Sequence, residues 1–174
     1  MLRQSAKWGR PFWPWSGSHV LWLCVIVGGC LFSVIAASVG DETVRPVRAP
    51  DFAVIEIAVQ PGKQRAPLSF TVKLAETEAQ RRHGLMFTPY LPKQQGMLFV
   101  FEENGEKYFH MKYTTIPLDV AFINQEGIIE NIKELHPLRV TPVSSDCNAM
   151  FALEVNRGWF EKNNVRIGDK VLDI

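Results

Sequence analysis

The sequence predicts a mainly β, or β-rich α+β, domain: one compact barrel-like unit with two short helices, preceded by an N-terminal hydrophobic helix. Three observations carry this expectation. After residue 52, apolar and polar residues alternate over several stretches with the two-residue period of half-buried strands. In the same region only two short stretches have helix-start chemistry. Finally, an uncharged run from Val20 to Gly40 stands apart from everything that follows it.

That run comes first in the chain. It contains Trp22, Leu23, Val25, Ile26, Val27, Leu31, Phe32, Val34 and Ile35, and at ~1.5 Å per residue it is long enough to cross the ~30 Å hydrocarbon layer of a bilayer. Arg3, Lys7 and Arg10 precede it and Asp41 and Glu42 follow, so the N-terminus is expected in the cytoplasm and the remainder exported. Ser38-Val39-Gly40 also offers the small residues of a signal cleavage site, but the run exceeds the ~7–15 residues of a signal core, which favours an uncleaved anchor. Lipid attachment at Cys30, after Val27-Gly28-Gly29, is a third option. Trp8, Phe12, Trp13 and Trp15 suit a membrane interface or a leader without a function of its own. Residues 1–19 are thus a cytoplasmic or signal n-region, 20–40 an anchor or signal segment, 41–51 a linker of alternating charge and proline, and 52–174 the domain. The expected location is a bacterial-type inner membrane with the domain on the periplasmic or extracellular side; the alternative is secretion after cleavage.

Within the domain, Ala53, Ile55, Ile57 and Val59 alternate with Val54, Glu56 and Ala58, and Phe70, Val72 and Leu74 with Ser69, Thr71 and Lys73. Both read as half-buried strands. Thr77-Glu78-Ala79-Gln80 has the form of a capping box, Arg81, Arg82 and His83 complement a helix C-terminus, and Gly84 supplies a left-handed stop. Met97 to Phe101 is apolar on both faces, which places it mid-sheet. Asn104-Gly105 predicts a hairpin turn into a return strand, Lys107 to Lys112, with Phe109 and Met111 on one face and Tyr108, His110 and Lys112 on the other. Further strands are predicted at 119–124, 128–135, 149–155 and 170–174, and a second helix at 158–163 with Asn156 as its cap. The stretch Pro142 to Asn148 reads as a small-polar loop.

Bulk properties narrow the function. Of 174 residues, 47% are hydrophobic and 21% charged, the proportions of ordinary globular material. Without Arg3, Lys7 and Arg10, the 19 basic residues fall to 16 against 18 acidic ones, a net charge of −2 for the exported part. Such a balance gives no field to attract nucleic acid. Cys24 and Cys30 lie in the hydrophobic run, leaving Cys147 alone, so the domain relies on packing rather than on an internal disulfide.

Gly84-Leu85-Met86-Phe87, Gly96-Met97-Leu98-Phe99-Val100-Phe101, Met111-Lys112, Thr114, Ile116-Pro117-Leu118-Asp119, Leu153-Glu154-Val155-Asn156 and Ile167-Gly168-Asp169 occur in an order that resembles the DUF192 family, also called UPF0127. The resemblance spans roughly Phe70 to Val171. It implies a compact β-rich fold, frequently attached to an export signal or membrane anchor, and carries no established reaction, substrate or cofactor. This chain departs from the pattern at His110, where the family usually has Trp, and at Tyr113, where it usually has Asn.

His110, Lys112, Thr114, Asp119 and Glu154 are the candidate ligand-binding residues. Asp119 follows a proline turn, where a carboxylate can orient a ligand hydroxyl, act as a base, or accept backbone N–H groups of the turn. Thr114 and Thr115 can bind a ligand or satisfy the same turn. His110 and Lys112 share a strand face and can meet an anion together, or stand solvated. Glu154 sits in an apolar strand and needs a partner, for which Lys112 or Arg157 is available. Met86, Met97 and Met111, beside Phe87, Phe99 and Phe109, fill the core or line an adaptable cleft. No pair among His83, His110 and His136 has zinc-motif spacing, so neither metal nor cofactor is expected. The expected function is non-catalytic binding of an unidentified small molecule or envelope component. The alternatives are a hydrolase or transferase using Asp119 with His110 or Cys147, and a protein interaction module.

Overall fold

The computed structural model describes residues 49–62 and 64–174. The expected anchor, 20–40, and most of the linker lie outside the described residues, among which no helix is long and apolar enough to cross a membrane. Seven strands make one sheet: β1 (Ala53–Gln60), β2 (Leu68–Ala75), β3 (Gln95–Phe109), β4 (Leu118–Ile123), β5 (Ile129–Leu135), β6 (Val143–Asn156) and β7 (Lys170–Leu172), in the order β5-β4-β6-β3-β2-β1-β7. Only β2 and β3 run parallel, and their connection carries the helix α1 (Glu78–His83). A second helix, α2 (Trp159–Lys162), links β6 to β7.

The outer strands curl toward each other. Ile128 bridges Lys170, the Val171 N–H donates to the Gly127 carbonyl at 2.7 Å, the Gly168 N–H to the Ile129 carbonyl at 2.8 Å, and the Ile129 N–H to the Asp169 carbonyl at 2.9 Å. The result is a half-barrel whose two faces each hold a core. Alternation in the central strands feeds both cores. Leu98, Ala121, Ile123, Leu153 and Val155 join Ile57, Phe70, Trp159 and Phe160 on one side. Met97, Phe99, Val120, Phe122 and Ala152 join Leu85, Phe109 and Met111 on the other. Every residue of β4 is buried, as a strand covered on both faces requires. Met97 to Phe101 lies in the fourth of the seven strands, the middle of the sheet, as its two-sided apolarity predicts.

Four local expectations are corrected. Asn104-Gly105 makes no hairpin: β3 continues through it, still paired to β6. Neither residue has the positive φ that a type I′ turn requires, and the pair instead relaxes a bulge in which Val100 to Gly105 spans Phe151 to Ala149. The stretch Pro142 to Asn148 is not a loop, because β6 begins at Val143. There β6 takes the extra residues against Glu106 and Tyr108, and Asp146 turns to φ 52°. Buried Ser145 satisfies the freed backbone, accepting from the Lys107 N–H at 3.0 Å and donating to the Cys147 carbonyl at 2.6 Å. Asn156 does not cap α2; its amide donates to the Leu91 and Pro92 carbonyls, and Gly158, at φ 75°, takes the cap position. Gly84 ends α1 with φ 48° and ψ −134°, a region open to glycine alone rather than the left-handed helical stop.

Candidate functional site

On the α1 side of the sheet, the sequence builds a cleft from a capped helix and an aromatic wall. The Thr77 hydroxyl accepts from the Gln80 N–H at 3.2 Å while the Gln80 side chain accepts from the Thr77 N–H at 2.9 Å, which is the capping box the sequence predicts. Arg81 ties the helix to the sheet by donating to the carbonyls of Glu76 and Val100. Beneath α1, Phe99 and Phe109 pack edge to face at 5.0 Å, and Phe101 meets Phe109 at 6.4 Å. A cavity of about 300 Å³ remains between the helix end and these rings.

Glu154 lines that cavity. On β6 it stands opposite Met97 of β3 and Val120 of β4, so its side chain takes the α1 face while Leu153 and Val155 take the other. Only 5% of the residue is exposed, and its carboxyl opens onto the cavity without a hydrogen bond or ion pair among the described residues; the fully enclosed unpaired atoms lie elsewhere, at Asp119 Oδ1 and Arg157 Nε. Neither Lys112 nor Arg157 supplies the partner the sequence suggests: Lys112 is exposed, with its ammonium 5.0 Å from the Tyr113 ring, and Arg157 reaches Glu134 at 3.2 Å. Burial alone pushes the Glu154 carboxyl up to about 8, so at neutral pH it is protonated and offers both an O–H donor and an acceptor. The wall's other charges are matched, Arg82 with Glu78 and Arg81 with Glu102.

His110 and Thr114 line the same cavity. The structure therefore brings together three of the five candidates, His110, Thr114 and Glu154, and leaves Lys112 outside on the surface. Asp119 is separate. It stands opposite Val155, with the parity of Ala121 and Ile123, and so faces the other core. One oxygen accepts the Gly158 N–H at 2.7 Å, holding the start of α2 from the neighbouring strand; the other lies 3.9 Å from the Arg157 Nε, and both atoms of that pair are buried without a hydrogen bond. Burial raises the Asp119 carboxyl above its ordinary range, against the pull of Gly158 and Arg157. The cleft at Asp119 is lined by Glu134, Arg157, Glu161 and neighbours, with neither His110 nor Cys147 among them. Cys147 is half-buried in β6, and desolvation raises its thiol above the usual value.

Sequence reasoning missed the rim. Phe87 and Tyr113, both exposed, stack at 5.1 Å with planes 18° apart, and His83 meets Phe87 at 6.2 Å. Phe87, Tyr113 and Leu138 have φ of 59°, 60° and 60°, a conformation that costs an L-residue roughly 1–2 kcal/mol each. Backbone bonds hold them there, Phe87 N–H to the Tyr113 carbonyl and Leu138 N–H to the Thr114 carbonyl, each 2.9 Å. Asn, the residue that the resemblance implies at position 113, tolerates this φ; Tyr113 trades that tolerance for the stack. A signal was present in the departures at His110 and Tyr113, which mark this rim.

A half-barrel with a helix-covered cleft and a buried carboxyl defines a small single-domain class of β-rich protein. The chain belongs to the DUF192 family, whose model, described as uncharacterised ACR, matches residues 58–172. No curated protein matches the chain. Among solved structures, a protein of Sinorhizobium meliloti 1021 proposed to be a transcription regulator is similar at 29% identity and a TM-score of 0.67, over 70% of this chain and 95% of that one. A protein of unknown function from Novosphingobium aromaticivorans DSM 12444 is similar at 28% identity and a TM-score of 0.64, over 71% of this chain and 93% of that one.

Proposed function

We propose that this DUF192 domain is a non-catalytic binding module, exported and held at the inner membrane by residues 20–40, that takes a small amphipathic molecule in the cleft beneath α1. The observation that carries this reading is Glu154: a residue 5% exposed, its carboxyl without a partner among the described residues and lining a cavity of about 300 Å³. Burying such a group costs stability unless something completes its hydrogen bonds, and a ligand is what the cavity leaves room for. The apolar part of the ligand lies against Phe99, Phe109 and Leu85, and its polar end meets Glu154, with Thr114 and His110 within the same wall. Asp119 supports the reading by contrast, since its contacts are with the helix cap it stabilises.

The test is a thermal-shift screen of residues 49–174 against small amphipathic compounds, run in parallel on wild type, Glu154→Leu and Asp119→Ala. A compound that raises the Tm of wild type and Asp119→Ala but not of Glu154→Leu supports the cleft. A compound that stabilises Glu154→Leu as strongly as wild type removes Glu154 from the site and the reading with it. Fractionation of the native protein tests the anchor: recovery in the soluble fraction, shortened by the first forty residues, replaces it with a cleaved signal.

A further inference from the structure

Three segments meet on one surface beside the cleft: residues 82–88, which are the end of α1 and the turn after it, and the loops 110–117 and 136–142. The Phe87 N–H donates to the Tyr113 carbonyl, the Leu138 N–H to the Thr114 carbonyl and the Met111 N–H to the Arg139 carbonyl, at 2.9, 2.9 and 2.7 Å. Together they expose Phe87, Tyr113, Leu138 and Val140 by 50–69% each, four large apolar side chains on adjoining turns. None of the three segments contains a carboxylate. Arg82 is matched by Glu78 of α1, but exposed Lys112 and Arg139 have no acidic partner among the described residues. The three histidines of the described residues, His83, His110 and His136, all lie here as well.

Apolar rings beside unmatched cations, without an acid, match the chemistry of an anionic bilayer surface. Aromatic side chains settle at headgroup level, aliphatic ones enter the acyl boundary, and lysine and arginine reach the phosphates. Nucleic acid fits less well: two unmatched cations displace few counterions, and phosphates give Leu138 and Val140 nothing to bury against. The path of the chain agrees. The Gln80 amide donates to the Asp51 carbonyl at 2.7 Å, and the Phe52 ring lies 6.2 Å from His83, itself 6.2 Å from Phe87. Asp51 and Phe52, where the described chain leads into β1, therefore lie beside this surface.

We propose that these segments form a docking face for an anionic phospholipid bilayer, with Phe87, Tyr113, Leu138 and Val140 entering the interface and Lys112 and Arg139 on lipid phosphates. It is independent of the cleft ligand: Glu154→Leu is expected to dock like wild type. Residues 49–174 serve for the experiment, because the matched solved chains consist almost wholly of this domain, 95% and 93% of their lengths being covered. Co-sedimentation is measured with vesicles of equal parts phosphatidylglycerol and phosphatidylcholine, and with phosphatidylcholine alone. Wild type is expected to pellet with the mixed vesicles, to be released by added salt, and to stay in solution with phosphatidylcholine alone. Lys112→Gln with Arg139→Gln is expected to weaken binding roughly thirtyfold. Phe87→Asn with Tyr113→Asn, chosen because Asn tolerates the left-handed φ, is expected to weaken it by about tenfold or more. Both double variants should keep the far-ultraviolet circular dichroism of wild type and unfold cooperatively. The proposal is overturned if wild type ignores the mixed vesicles, if both double variants bind as wild type does, or if the face instead captures a DNA duplex or a second copy of the domain.

Discussion

Glu154 and Asp119 sit on neighbouring strands, one register step apart, yet they serve opposite faces of the sheet and have opposite surroundings. Asp119 caps a helix and stands beside a guanidinium; Glu154 has a cavity and no partner. Both carboxyls are raised by burial, but only at Asp119 do a donor and a cation pull back. The contrast separates a carboxylate that holds the fold together from a carboxyl the fold tolerates. A group kept at a stability cost is the better marker of function.

The widest test of this contrast is pH. Folded Glu154 keeps its proton up to about pH 8, whereas an unfolded glutamate loses it near 4.5. The folded state therefore holds the extra proton between those values, and the stability it confers is complete below 4.5 and lost as pH rises through 8. Denaturant titrations from pH 5 to 8 should show unfolding free energy falling by roughly 3–4 kcal/mol, with Glu154→Gln removing most of the slope. An unchanged slope in that variant would place the titration elsewhere and erase the difference between the two carboxyls. Asp119→Ala, measured at pH 7, is expected to cost about 1–2 kcal/mol, because it leaves the Gly158 N–H at the start of α2 without its acceptor, while Arg157 keeps Glu134. If Asp119→Ala is neutral, its tie to Gly158 is not structural. Thr77→Ala removes half of the capping box on the helix that covers the cleft and should cost about 1 kcal/mol. The same change should weaken any cleft ligand while leaving the α2 side untouched, as hydrogen exchange at Trp159 to Asn163 can check. Least of all, Lys112→Ala should shift stability by under about 0.5 kcal/mol, since its side chain is exposed and its ammonium lies 5.0 Å from the Tyr113 ring without an ion pair among the described residues.

Sequence revealed what depends on near neighbours. The alternation of β1 and β2, the capping box at Thr77 and the apolar Met97 to Phe101 all express local rules, and each appears where expected. Glu154 was also visible, as a carboxylate in an otherwise apolar strand. Its separation from Asp119 was not, because that follows from Asp119 standing opposite Val155 across strands distant in sequence. Asn104-Gly105 misled for a related reason: the same permissive pair serves a tight turn or a bulge, and only the partner strand decides. Gly96 shows tertiary contact explaining a motif the sequence could only record. A Cβ there would lie 2.6 Å from the Glu154 carbonyl, so the backbone of β3 reaches the strand that holds the site only where no side chain stands. The cleft wall itself joins α1, β3 and β6, which no window of sequence spans.

The seam between β5 and β7 has a consequence for how the domain yields. Among the described residues, the Ile128–Lys170 bridge and a few backbone bonds close it, and β7 contributes three residues. Amide protons of Lys170 to Leu172 should be the first in the sheet to exchange with solvent. Once β7 lifts away, the outer edge of β1 is left unpaired, and the β7 of another molecule presents the same three residues to it. At high concentration or in mild denaturant, the characteristic failure of this fold is therefore an exchange of last strands between molecules, detectable as a dimer that forms before the core unfolds.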